Sequence, residues 1–185
     1  MPQVSKLQSI KSHLVTAVRL LFEDGDPCAI HTLVGAASIV SFDLMQSRFP
    51  GKAWEHHVLS SNEMTMKDYL QMARKAQNFL KHADREGDGN PLLELKPEET
   101  EGLLWVSFQN YRKLIAGATK IPPELLVFEL WYIAKHCTAF NAASDKTARM
   151  LREVQRVFPN LNKSSRSAQA REGRRQLKRV LQKNS

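Results

Sequence analysis

The chain has 185 residues, 42% of them hydrophobic and 25% charged. Those proportions suit a globular fold that buries roughly 70% of its unfolded surface, and they indicate neither a membrane protein nor a disordered chain. The net charge of +8 is unevenly placed: residues 1–160 carry 19 Lys and Arg against 18 Asp and Glu, whereas residues 161–185 carry 8 against 1.

Residues 3–23 set Val4, Leu7, Ile10, Leu14, Val18, Leu21 and Phe22 at helical spacing, and Gly25 ends the run. Asp26 before Pro27 is an N-cap followed by proline at the first helical position, where a missing N–H costs nothing. The helix that starts there runs to about Gln46 and is apolar on most sides, through Ile30, Leu33, Val34, Ala37, Val40 and Leu44, so it belongs to the core. His31 lies inside it, where a histidine is ordinarily a packed residue with one hydrogen bond; a functional role requires it to face His82. Arg48 to Asn62 reads as a long connection whose Trp54, Val58 and Leu59 pack down over something. His56 and His57 within it are adjacent, a poor spacing for one metal.

Thr65 to Asn90 reads as one bounded helix. Thr65 with Asp68 is a start signal, and Gly87 a stop. Tyr69, Ala73, Ala76, Leu80 and Ala83 form its core face; Arg74, Asn78, His82 and Arg85 recur along another. Asp84 to Asn90 partly follows a calcium-loop pattern, but Leu95 stands where the bidentate Glu is required, so a solvated turn is the reading.

Pro97, with Glu98 and Glu99 at the positive end of the helix dipole, opens a helix whose face is Leu104, Phe108, Tyr111 and Ile115. Pro122 and Pro123 precede a strongly apolar helix over Glu124 to Phe140, and Ser144 or Asp145 caps a shorter one that stops before Pro159. The polar stretch from Asn160 then leads to a basic amphipathic segment. The fold expected is an all-α, single-domain bundle of about six helices over residues 1–159, with Val40, Leu80, Phe108, Leu126 and Trp131 in its core. Residues 160–185 are expected to be a basic linker and helical tail that adds little to that core.

Cys28 and Cys137 lie far apart within helical patterns and suit buried, reduced thiols in a cytoplasmic setting. No stretch reaches the roughly 18 uninterrupted apolar residues of a membrane span, and no cofactor motif is present. A metal site built from His31, His82, Asp84 and His136 would need a convergence that spacing does not provide.

Histidine titrates near neutrality, arginine holds phosphate with two parallel donors, and an asparagine one turn away can orient either group. His82, Asn78 and Arg74 are therefore the candidate catalytic residues, and Arg74, Arg85 and His31 the candidate phosphate ligands. Gln77 to His82 resembles the Arg-Asn-x-x-x-His motif of the HEPN (higher-eukaryote-and-prokaryote nucleotide-binding) domains, with Gln77 at the motif's arginine position. The resemblance carries over to Asn78 and His82. It implies a helical bundle that binds RNA or a nucleotide, metal-independent RNA cleavage in active members, and often a homodimer. NFLKHADRE is also similar to bacterial cytosolic proteins of no assigned activity. The alternative left open is a non-catalytic interaction bundle whose basic tail docks on an acidic protein surface.

Overall fold

Local chemistry starts the helices as the sequence leads one to expect. The Asp26 carboxylate accepts from Ala29 N at 2.7 Å with Pro27 behind it, Ser144 Oγ accepts from Thr147 N at 3.2 Å, and Pro97 and Pro123 each open a helix. A computed structural model describes residues 3–81, 92–140 and 144–183. The described residues form α1 (Lys6–Phe22), α2 (Pro27–Arg48), α3 (Glu55–Asn62), α4 (Met66–Lys81), α5 (Pro97–Leu114), α6 (Pro123–Lys135), α7 (Asp145–Val157) and α8 (Arg166–Lys183), with short 3-10 turns at Cys137–Ala139 and Leu161–Lys163. The protein is all-helical, and no strand occurs among these residues.

The helix count differs from the expectation because α3 lies inside the stretch read as a connection. Its eight residues are too few for a 3.6-residue period to declare itself. The calcium-like stretch Asp84–Asn90 and the Gly87 stop lie outside the described residues.

The chain divides into two compact units, Met1–Ala17 with Asp26–Lys120, and Val18–Gly25 with Ile121–Ser185. In the first, α2 packs chiefly on α5 and also on α4, and α3 packs on α4. The buried side of α2 is one stripe, His31, Val34, Ala37, Ser41 and Met45, against which Leu104, Phe108 and Tyr111 of α5 supply the large buried side chains. By length and composition α2 could cross a membrane, with a mean hydropathy of 1.6, but core helices pass the same test, and this one is packed on its neighbours. In the second unit α6 packs on both α7 and α8, burying Leu125, Phe128 and Trp131 with Phe22, Val154, Phe158 and Leu177. The Trp131 ring lies 5.7 Å edge-on from Phe22 and 6.0 Å from Phe128 in a stacked arrangement.

Of the five residues expected in the core, Phe108 and Trp131 are buried. Val40 lies beside the buried stripe of α2 and Leu80 is also half-buried. Leu126 is 39% exposed, because it follows the fully buried Leu125 and a helix turns about 100° per residue. The two cysteines are free, but Cys28 is exposed in the first turn of α2, contrary to the expectation of two buried thiols.

Candidate functional site

Three neighbouring residues of α4 meet different surroundings. Arg74 is half-buried, Gln77 is buried and Asn78 is exposed. Gln77, at the motif's arginine position, serves as a clasp onto α2. In the amide orientation that satisfies its neighbours, Nε2 donates to Gly35 O at 3.1 Å, while Oε1 accepts from Ala36 N at 3.0 Å and Lys81 Nζ at 2.9 Å. A Cβ on Gly35 would stand 2.5 Å from Gln77 Cδ, so the glycine is what lets the amide reach the α2 backbone. Arg74 and Asn78, four residues apart, share a flank of the same helix. His82 and Arg85 lie outside the described residues.

His31 is 3% exposed, and its Nδ1 lies 2.8 Å from Thr100 Oγ1 on α5, while Nε2 is buried without a hydrogen bond. Burial lowers its pKa below the usual histidine range against the opposing pull of Glu99. The packed reading of His31 thus matches its surroundings: it faces a threonine hydroxyl on α5. Among the described residues no group of three or more His, Cys, Asp and Glu side chains converges as a metal site, and His82 and Asp84 of the four-residue set lie outside them.

Two arrangements escaped sequence reasoning. The first is a buried polar cluster in the first unit. Glu55, the opening residue of α3, is 1% exposed, and both carboxylate oxygens accept from Asn110 Nδ2, at 3.0 and 2.9 Å. Asn110 Oδ1 accepts in turn from Trp54 N at 2.8 Å. Desolvation raises the Glu55 pKa against the Asn110 hydrogen bonds, and burial together with the Glu55 charge raises that of Tyr69. The available signal was Asn110, a polar residue among the apolar positions of α5.

The second is the mounting of α8. Gln169, Ala170, Gly173 and Leu177 are buried; Trp131 Nε1 donates to Gln169 O at 2.9 Å; and a Cβ on Gly173 would collide with the Phe22 ring. Gln169 Nε2 also donates to Leu161 O at 3.0 Å and Ser164 O at 3.1 Å, which fixes the stretch read as an unordered linker. The expectation of a tail adding little to the core is therefore corrected: its small residues let the helix come close, and its glutamine supplies the bonds. Arg171, Arg174, Arg175, Lys178 and Arg179 remain exposed on α8. Glu172 is the one acid on this helix, and it holds Arg175 at 2.6 Å. On α7, Lys146, Arg149, Arg152 and Arg156 are exposed as well. Compared with protein-family models, curated proteins and solved structures, the chain gives no match in any of the three.

Proposed function

We propose that this protein binds RNA by its phosphate backbone through the outer face of α8. The observation that carries the reading is the way α8 is docked: Ala170, Gly173 and Leu177 are buried within its unit, leaving Leu181 37% exposed near its end, and seven cations of the helix face solvent with a single acid among them. Arg171 and Lys178 are seven residues apart, about 10 Å along a helix axis at 1.5 Å per residue, a row that suits successive phosphates of a polymer better than one mononucleotide. A membrane-surface helix needs its apolar face free to enter lipid, and here Ala170 and Leu177 are buried, which favours a water-borne polyanion. The α8 row has no exposed aromatic side chain, so backbone contact rather than base reading is its chemistry.

The HEPN resemblance adds the finer part of this reading, a helical bundle that forms a homodimer and cleaves RNA with His82 and Asn78; helical spacing adds Arg74 beside them as a catalytic candidate and Arg74 and Arg85 as phosphate ligands. It rests on the sequence of α4 and the residues that follow.

The test of backbone binding is the R171A/R174A/K178A variant of the full chain, titrated against an oligouridylate at several salt concentrations. The three residues are exposed, so the melting temperature should hold within the range of ordinary surface changes. Binding should weaken, and the slope of log K against log salt should shrink by about 2, at about 0.7 per lost single-strand phosphate contact. An unchanged slope, or capture of an acidic protein with no RNA affinity, overturns the reading in favour of the interaction bundle. For cleavage, His82→Ala should abolish turnover that persists in a metal chelator; wild-type protein that binds RNA without cutting it removes the enzymatic part alone.

A further inference from the structure

The connection from α2 to α3 is short and pinned from several directions. Lys52 N donates to Phe49 O at 3.0 Å across a turn that needs the positive φ of 69° at Gly51. Gly51 N reaches Gln46 Oε1 at 3.5 Å, and Gln46 Nε2 lies 3.1 Å from His56 Nε2. From α5, Asn110 takes the Trp54 N–H, and Lys113 Nζ donates to Lys52 O at 3.2 Å. Ala53, in the middle, is fully buried. The backbone is thus anchored to α2, α3 and α5, all within the first unit.

What this frame presents outward is cationic and aromatic. Arg48, Lys52, His57 and Lys113 are exposed; Phe49 is 39% exposed; Trp54 is half-buried, with its ring 4.9 Å from the His57 ring. From Leu44 to Asn62 the chain contains one acid, Glu55, and that side chain is buried under Asn110. Between Asp43 and Glu63, the exposed acids that flank it, the segment therefore carries cations and rings on its surface and no exposed carboxylate.

From this arrangement we propose that the α2–α3 turn is a second nucleic-acid site, one that selects single strands by stacking unpaired bases on Phe49 and Trp54 while Arg48, Lys52 and Lys113 hold the adjoining phosphates. Aromatic faces beside cations are the recurrent equipment for single strands, since every base offers a π-face that a paired duplex keeps hidden. The rigidity of the turn adds to this, because side chains on an anchored backbone lose less freedom on binding. This site goes beyond the backbone contact proposed for α8: it lies in the other unit and has a different selectivity.

The test uses the full chain with oligouridylate and with an RNA duplex of equal length, in parallel with anionic phospholipid vesicles. Phe49→Ala and Trp54→Ala should each weaken oligouridylate binding about 10-fold, in line with the loss of one stacked base, and leave duplex binding within about two-fold. Because Trp54 is half-buried, Phe49→Ala and R48A/K52A supply variants whose side chains lie outside the core; the charge variant should weaken binding to oligouridylate with its salt slope reduced. Wild-type affinity in Phe49→Ala and R48A/K52A overturns the proposal, as does vesicle binding that depends on Phe49 with no preference for single strands. The α8 triple variant keeps the two proposals apart: loss of duplex binding there with no response to Phe49 leaves α8 as the sole site, and the reverse result leaves the turn alone.

Discussion

At the scale of single residues, two buried titratable groups pull stability in opposite directions with pH. His31 has a folded pKa below its ordinary 6.5, so the unfolded chain takes up its proton first, and the contribution present above that value is lost as pH falls through the folded pKa. Glu55 has a folded pKa above its ordinary 4.5; its contribution is complete below that value and is lost as pH rises through the folded pKa. Glu55→Gln keeps an acceptor for Asn110 and removes the charge, so its melting temperature should gain on wild type progressively as pH is raised. A constant difference across the range would mean that Glu55 does not titrate there. Thr100→Val removes the partner of His31 Nδ1 when Nε2 already has none, and should cost about 1–3 kcal/mol in denaturant unfolding. If that variant unfolds like wild type, the His31–Thr100 bond contributes nothing net.

At the scale of elements, the meeting of α2 and α4 depends on one missing methyl group. Gly35→Ala places its Cβ against the amide of Gln77, which is 1% exposed and bonded to the α2 backbone, so the side chain cannot swing away without giving up those bonds. The expected cost is about 1–3 kcal/mol. Gln77→Ala should relieve much of it in the double variant, and the coupling in a double-mutant cycle measures the clasp. Strict additivity would show that the two positions do not touch. This contact also marks where the sequence was legible. The long periodic helices declared themselves through residues such as Ile10, Leu14, Leu104, Phe108 and Trp131, all buried as their spacing implied. Asp26, Pro27, Pro97, Pro123 and Ser144 marked starts through local chemistry. Gln77 carried no such mark: a polar residue inside an amphipathic helix reads as surface until a glycine on another helix is known to lie opposite. Glu55 likewise gives no sign of burial, since Asn110 lies 55 positions away. The Arg74–Asn78 flank was visible from spacing alone, while the chemistry assigned to it depends on His82.

At the scale of the whole molecule, charge follows the division into units. Val18–Gly25 with Ile121–Ser185 holds 14 Lys and Arg against 7 Asp and Glu, and the remainder holds 13 against 12, so the basic character belongs to the unit that contains α7 and α8. Removing residues 161–185 should lower the melting temperature by several degrees as well as removing charge, because it strips Gln169 from Trp131 and Gly173 from Phe22 and exposes an apolar face of α6. A truncated chain that melts with the full-length protein would show that α8 contributes nothing to its unit. The Trp131 indole proton held by Gln169 O offers a clock for the same attachment. In deuterated water it exchanges only when that bond opens, so its rate compared with core amides of α6 reports whether α8 lifts away by itself or leaves only when the whole unit unfolds. An indole that exchanges far faster than those amides would make the basic helix a hinged arm, able to close around a strand after touching it.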